Sequence, residues 1–456
     1  SIPASPLLPA AMSRELERVS VNDLTPLLFL EHYAVANRPV VLLEAVQKWP
    51  CWRLWRDEDG QPKLAQMAED FEKCDGPVVN CENDQQETWN VASFLRCLEQ
   101  DQGCEHLYLK DWHFVQACKT AQTEVPYEAP DFLSAPLHDW LNDFKQQSKP
   151  EEDYRYCYVG AKGTRTKLHH DVLLSHSWSA NICGRKKWIF YPPDCKDQLE
   201  IRPGHWPASA QPDCYDAKEF PEAKQAFERR IEVIQEPGEL IFVPSGWYHE
   251  VENLTLAISI NHNWLNASNV EEVWQFLHAE FERVKEKIDD VIDAFESEGE
   301  AAWIDHCNKL MKLNCDFDIP DWLDLLSSAW EAVKRCLDED PTGERLREVE
   351  WVEERLSAVC QKVLDYKDCW LSPTMTHAAT KLTAQIKKPF QEVMTSCVQE
   401  MAGMREKHGK ELAKQKEAMV ILQSEEERLF YRINTYQERL KKFEDRCQKR
   451  FAQLSM

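Results

Sequence analysis

The chain has 456 residues, of which 43% are apolar and 29% charged, so it can bury at least one large core and two or three structural units. Its formal net charge of −25 argues against direct binding to nucleic acid, because that affinity depends mainly on neutralising phosphates. The chain shows no apolar run long enough for a membrane span, no basic-then-apolar leader and no CxxC among its 17 cysteines. We therefore expect reduced thiols and a cytoplasmic location, with the nucleus as an alternative.

The N-terminal third mixes helical and strand-like patterns. Residues 1–12 are rich in Pro and Ala and are expected to be disordered. Residues 13–150 are predicted to be an α+β region with short strands within 37–46, 78–80 and 106–110 and a helix near 90–100.

From Tyr154 the pattern changes to short β-rich runs at close spacing, separated by Pro/Gly turns. The runs are YRYCYVG, KKWIFYPP, IEVIQ, ELIFVP, WYHEVEN and LAISINHNW. This spacing predicts a sandwich or jelly roll over residues 151–265.

The remainder is predicted to be helical over residues 266–400, with one long amphipathic helix across 271–295. Residues 401–456 are predicted to form a long helix or coiled coil. Their heptad stripe consists of Met419, Leu422, Leu429, Ile433, Tyr436, Leu440, Phe443 and Cys447. Packing of this stripe on the protein's own helices and homodimerisation through it are equally favoured.

Three residues carry the strongest chemical signal. In a strand, residues i and i+2 point to the same face, so His169 and Asp171 in TKLHHD can both point inward while His170 points away. His249, after the turn in FVPSGWYHE, supplies a second imidazole. Two histidines and one carboxylate are the facial set of non-heme Fe(II) oxygenases, whereas zinc favours a tetrahedral site. The alternative for any one of these residues is an ordinary surface pair or core histidine, and His170, His176, His205 and His262 are expected to be structural or to contact the metal ligands rather than to be ligands themselves.

Several motifs together resemble the jumonji C family of 2-oxoglutarate-dependent oxygenases, most closely the jumonji-domain-containing protein 4 group of lysyl hydroxylases. The matching segments span roughly residues 25–265 and are NRPVVL, LYLKDW, TKLHHD, SWSANICGRKKWIFYPP, GELIFVPSGWYHEVENL and SINHNW. The resemblance implies a double-stranded β-helix of the cupin jelly-roll type as a β-rich core with helical additions. It also implies Fe(II) as cofactor and 2-oxoglutarate and O2 as cosubstrates.

The resemblance also assigns site residues. It implies iron ligation by His169, Asp171 and His249, and pairing of Lys186 in CGRKKW with the distal carboxylate of 2-oxoglutarate. The choice of Lys186 over its neighbour Lys187 depends on the strand register. The resemblance further implies cosubstrate contacts from Tyr108, Thr166, Asn261 and Asn263. Without the motif context, Lys186 would be taken as a surface lysine and Tyr108 as a core residue.

Three functions compete on this basis. The favoured one is lysyl C-hydroxylation of a protein with a basic or lysine-containing segment, for which the resemblance points to a translation termination factor. The second is a lysine demethylase, which is less favoured because no zinc-finger spacing suggests a chromatin-reading module. The third is a non-catalytic cupin scaffold that binds partners through its helical C-terminal third.

Overall fold

A computed structural model describes residues 15–386 except 135, 203, 210–214, 290, 291, 293, 294, 296–298 and 340, together with residues 429, 430, 434, 437, 438 and 441. Two compact units divide the described residues. The first contains the residues up to 283 and those of 341–355, and the second contains those of 284–339 and from 356 onward. No helix among these residues is both long and apolar enough to cross a membrane.

The strands belong to the first unit. They are β1 (Glu17–Ser20), β2 (Val40–Leu43), β3 (Asp75–Asn80), β4 (Gln86–Asn90), β5 (Leu107–His113), β6 (Arg155–Gly160), β7 (Arg165–His169), β8 (His176–Cys183), β9 (Lys186–Tyr191), β10 (Ile231–Gln235), β11 (Leu240–Val243), β12 (Tyr248–Asn253) and β13 (Ala257–Trp264).

The α-helices are α1 (Pro26–Phe29), α2 (Pro50–Leu54), α3 (Leu64–Asp70), α4 (Val91–Glu99), α5 (Phe114–Ala121), α6 (Trp140–Ser148), α7 (Lys196–Leu199), α8 (Ala223–Glu228), α9 (Val270–Lys287), α10 (Glu300–Cys315), α11 (Ile319–Asp338) and α12 (Gly343–Asp365). Residues 373–386 are also helical. The second unit is built from helices, and in α11 the side chain of Asp318 accepts a hydrogen bond from the backbone N–H of Asp321, which caps the helix.

Two sheets form the β core. The larger has the order β1-β2-β11-β8-β13-β6-β5-β3-β4, and the smaller has the order β10-β9-β12-β7. This confirms the expected fold class, a β-rich jelly-roll core with helical additions.

Strands β8 and β13 are buried along their whole length, yet each alternates apolar and polar residues. The apolar residues, such as Trp178 and Ile260, join the core between the large sheet and the N-terminal helices. Because alternate residues face opposite sides of a strand, the serine and asparagine residues face the space between the two sheets, whereas His176 and His262 lie on the core side beside Trp264 and Trp178. A polar face that is completely buried is costly unless its groups are hydrogen-bonded or bind a ligand.

The small sheet brings a histidine to this inner face. Gly246, in the turn between β11 and β12, has a φ of +74°, a conformation that L side chains rarely adopt. The turn directs β12 back across the barrel, where Val251 packs with Trp188 and Phe190 against Ile241 of the large sheet. His249 lies two residues before Val251 and therefore on the same face.

Some expectations differ from the structure. The α-helix predicted over residues 271–295 ends at Lys287, and the described residues among 288–295 are in a turn or in 3-10 helix rather than in α-helix. Among the described residues, Cys97 and Cys104 form a disulfide that the cysteine pattern did not predict. Residues 1–12 and, apart from a few single positions, the predicted coiled coil of residues 401–456 with its dimer interface lie outside the described residues.

Candidate metal and cosubstrate site

The three predicted metal ligands converge. His169 is the last residue of β7 and pairs directly with His249 of β12 in the antiparallel ladder. One ligand atom from each of His169, Asp171 and His249 lies within 4.8 Å of the other two. The sequence pattern placed Asp171 on the same strand as His169, but Asp171 follows the end of β7. Its backbone is still extended, with φ −65° and ψ 151°. The side chains of His169 and Asp171 therefore still point to the same side.

Backbone carbonyls determine which nitrogen each histidine presents. Nδ1 of His169 lies 2.8 Å from the carbonyl oxygen of Lys167, and Nδ1 of His249 lies 3.1 Å from that of Trp247. A carbonyl only accepts hydrogen bonds, so each Nδ1 carries the proton and donates it. Nε2 of both rings is left with a free lone pair, which is the arrangement that a metal requires.

Electrostatics keep His169 neutral. Burial, followed by the neighbouring imidazole of His249, lowers the pKa of His169 to about 3. The ring is therefore unprotonated on Nε2 at neutral pH. A neutral imidazole is the form that binds metals.

Both oxygens of the Asp171 carboxylate are held in place. The hydroxyl of Ser177 donates to Oδ2 at 2.7 Å, and the amide of Asn263 donates to Oδ1 at 2.8 Å. Asn263 also donates to the hydroxyl of Ser175 at 3.2 Å. Outer contacts of this kind orient a carboxylate ligand, so Asn263 lies beside the candidate metal ligands.

Lys186 is the most unusual charge in the barrel. Its residue is 2% exposed, and its ammonium donates to the hydroxyl of Ser259 on β13 at 2.6 Å. Among the described residues, no carboxylate lies within 4 Å of this ammonium, and burial lowers the pKa of Lys186 to about 7. Lys187 points the other way and pairs with Glu232 at 2.8 Å near the surface. A buried cation without an anionic partner fits an anionic ligand.

Tyr108 and Thr166 lie together beside this lysine. The buried hydroxyl of Tyr108 contacts the side chains of Thr166 and Asn253, and burial raises its pKa well above the ordinary value. Asn253 pairs directly with Lys186 in the ladder between β12 and β9. A side chain on Gly160 would collide with Tyr108 and Asn253, so the glycine leaves the room that this cluster occupies.

Asn261 completes the polar surface. Its amide donates to Ser259 at 3.1 Å, so Asn261 and Lys186 share one hydroxyl partner. The hydroxyl of Ser179 on β8 and Oδ1 of Asn253 are buried and have no hydrogen-bond partner among the described residues. The site therefore offers one cation and spare polar atoms to a ligand.

Sequence reasoning missed Ser177, Ser259 and Asn253. The signal for the first two was present, because Ser259 lies at two-residue spacing from Asn261 and on the same face as Asn261 and Asn263, and Ser177 has the same relation to Ser179. Asn253 lies four residues after His249 and therefore on the same face of β12. That relation is readable only once the strand bounds are known.

The four other histidines considered in the sequence make other contacts. Nδ1 of His170 is 3.0 Å from the carbonyl oxygen of Asp171, and Nε2 of His176 is 2.9 Å from the hydroxyl of Ser268. His205 pairs with Glu219 at 2.8 Å, and His262 lies 2.6 Å from the hydroxyl of Tyr127.

A double-stranded β-helix whose inner face carries two histidines and a carboxylate defines the class of barrel that holds one metal ion with open positions. Comparison with known proteins agrees. Residues 26–269 match the family model of a cupin-like domain.

Several relatives extend the match. The 2-oxoglutarate and iron-dependent oxygenase JMJD4 of Danio rerio is 34% identical over 376 residues, which cover 78% of this chain and 80% of the relative. The human JMJD4 is 33% identical over 299 residues, or 62% and 68% of the two chains. The arginine-specific demethylase JMJ20 of Arabidopsis thaliana is 36% identical over 303 residues, or 61% and 63%. The chain therefore belongs to the cupin-like family that includes the JMJD4 oxygenases, which confirms the resemblance seen in its motifs.

Proposed function

We propose that this chain is an Fe(II)- and 2-oxoglutarate-dependent protein hydroxylase. The observation that carries the proposal is the pairing of two features in one barrel. One is the convergence of His169, Asp171 and His249, and the other is the buried ammonium of Lys186, which has no carboxylate partner among the described residues. In this proposal residues 151–265 are the catalytic core, residues 13–150 are its N-terminal part, and residues 266–400 and 401–456 are the helical additions.

The donor set fits Fe(II). Two imidazoles and one carboxylate occupy one side of a metal ion and leave the other side open, and none of the three is a thiolate. Lys186, Tyr108 and Thr166 fit the distal carboxylate of 2-oxoglutarate, because the hydroxyls of Tyr108 and Thr166 lie beside Asn253, which is the ladder partner of the charged donor Lys186. When bound, Fe(II) with 2-oxoglutarate and O2 supplies oxidation of an unactivated C–H bond, with succinate and CO2 as co-products.

The chain's own residues do the positioning. Ser177 and Asn263 fix the orientation of the Asp171 carboxylate, so that it does not rotate when other positions of the site are filled. Apolar side chains of Trp188 and Phe190 lie beside His249, with ring centroids 5.6 and 5.9 Å away, and keep water from that side.

For the reaction we favour lysyl C-hydroxylation of a protein substrate, with a translation termination factor as the candidate that the motif resemblance suggests. The net charge of −25 is compatible with a basic substrate segment.

A demethylase is the second candidate. Two Arabidopsis relatives, JMJ20 and JMJ22, are named arginine-specific demethylases, and JMJ20 is 36% identical to this chain over the matched residues. Hydroxylation of an N-methyl carbon releases formaldehyde, whereas hydroxylation of a side-chain carbon leaves a stable product. A non-catalytic scaffold is the third candidate, and an open, fully oriented ligand set gives it no support.

One experiment separates the three. The purified chain is incubated with Fe(II), 2-oxoglutarate and a cell extract depleted of this protein, and succinate, formaldehyde and peptide masses are measured. Hydroxylation predicts succinate with a gain of one oxygen on an unmodified lysine, and demethylation predicts formaldehyde with the loss of a methyl group. Absence of succinate with every extract, from a chain that binds metal, would contradict both enzymatic proposals.

A further inference from the structure

Strand β5 contains one residue too many opposite β6. Leu109 pairs with Val159 and Trp112 pairs with Cys157, so the two residues between Leu109 and Trp112 oppose a single residue of β6. This is a β-bulge, a feature that redirects side chains and occurs beside functional sites. The second of these two residues, Asp111, has a φ of +57°.

The bulge places a charged pair on the inner side of the sheet. Leu109 and Trp112 both pack in the outer core. The two residues between them, Lys110 and Asp111, are opposite Tyr158 in the ladder. The hydroxyl of Tyr158 donates to Oδ1 of Asp111 at 2.5 Å. Without the extra residue, alternation would send one of the two charged side chains into the outer core.

Tyr158 connects Asp111 to the cosubstrate pocket. It pairs with Ser259 in the ladder between β6 and β13, and its ring centroid lies 6.0 Å from the ammonium of Lys186. The ring of Tyr156 lies next to it, 6.3 Å away and almost parallel. The Asp111 carboxylate thus lies at the hydroxyl end of Tyr158, whose ring lies between it and Lys186.

The Asp111 carboxylate has capacity for another cation. Its side chain is 48% exposed, and the ammonium of Lys110 lies 3.8 Å from Oδ2, which is too long for a hydrogen bond. Among the residues that the structure describes, no other cationic side chain lies within 4 Å of it. A carboxylate at the hydroxyl end of Tyr158, whose ring is stacked on that of Tyr156, is a favourable environment for an ammonium group.

We propose that Asp111 binds the ammonium group of the substrate lysine and so determines the preference for a cationic side chain. This inference rests on the hydroxylase function proposed above. In this proposal the stacked rings of Tyr156 and Tyr158 contact the aliphatic part of that side chain, and the hydroxyl of Tyr158 holds the Asp111 carboxylate in position.

The test compares two degenerate peptide pools that are identical except for their central residue, which is lysine in one and norleucine in the other. Norleucine keeps the aliphatic chain and lacks the ammonium. For the full chain with Fe(II) and 2-oxoglutarate, the ratio of succinate formation with the two pools measures the preference for charge. Asp111→Asn removes the charge, keeps an acceptor for Tyr158 and tolerates positive φ. We expect it to reduce the ratio by about threefold to tenfold and to leave the KM for 2-oxoglutarate unchanged.

Asp84→Asn is the matched control, because Asp84 is another exposed carboxylate, 59% accessible and paired with Lys167. We expect its ratio to equal that of the wild-type chain. An unchanged ratio in Asp111→Asn, or an equal fall in Asp84→Asn, overturns this inference while the hydroxylase proposal stands. Failure of the lysine pool to stimulate the wild-type chain overturns lysyl hydroxylation, and this inference with it.

Discussion

Lys186 makes the binding of 2-oxoglutarate dependent on pH. Burial lowers the pKa of its ammonium to about 7, and its hydrogen-bond partner is the hydroxyl of Ser259. A dicarboxylate binds the charged form of the lysine, so above pH 7 binding must be accompanied by the uptake of one proton. The affinity is therefore highest below pH 7 and falls as the pH rises.

The magnitude follows from the pKa. Each pH unit above about 7 lowers the fraction of charged lysine tenfold, so the Kd for 2-oxoglutarate should rise roughly a hundredfold between pH 6 and pH 9. The stability of the ligand-free protein should change in the opposite direction. The folded pKa is about 7 and the ordinary value is 10.5, so the unfolded chain binds more protons between these values. The free energy of unfolding should therefore rise with pH through that window.

Isothermal titration calorimetry with Mn(II) in place of Fe(II) measures the Kd and the proton uptake, and denaturant unfolding of the ligand-free chain measures the stability. We expect one proton to be taken up per 2-oxoglutarate at pH 8, seen as a dependence of the heat on the ionisation enthalpy of the buffer. Lys186→Met is the control, since it keeps the volume and removes the charge. It should lose most of the 2-oxoglutarate affinity together with the pH dependence, and gain up to about 5 kcal/mol of ligand-free stability at pH 6. A pH-independent Kd in the wild-type chain, or the same slope in Lys186→Met, would refute the reasoning.

Asp171→Ala and His249→Ala should each abolish turnover and metal binding, because two ligands hold the ion poorly. The far-ultraviolet circular dichroism should stay that of the wild type, and activity in both variants would exclude this site. Asn263→Ala should weaken metal binding about 10- to 100-fold, because Oδ1 of the carboxylate loses its donor, and metal titration with an unchanged Kd would contradict that role. Gly160→Ala should destabilise the protein by about 1–3 kcal/mol and raise the KM for 2-oxoglutarate, because the new Cβ would lie 2.6 Å from Cδ2 of Tyr108. A melting temperature and KM equal to those of the wild type would show that the cluster has room to spare.

The sequence identified the core of the site because its signals are local. Alternation in TKLHHD separates His169 and Asp171 from His170, and the Pro-Ser-Gly turn before His249 requires a glycine. Each of these constraints acts within a few residues, so each can be read from the chain. The β-rich runs from Tyr154 predicted the jelly roll for the same reason.

Register and curvature were decided only by the tertiary structure. The adjacent lysines of CGRKKW have equal claims in the sequence, and the pairing of β9 with β12 places Lys186 inside and Lys187 against Glu232. The bulge that opposes Lys110 and Asp111 to Tyr158 depends on the partner strand, 47 residues away from Asp111 along the chain.

What the sequence determined by itself is thus the set of residue types that can bind a metal, and the periodicity that makes them face inward. The tertiary structure alone decided which buried groups are left without partners. Whether an ammonium lacks a partner can be judged only when the position of every neighbouring strand is known, because hydrogen bonds and ion pairs are made between side chains that are distant in the sequence.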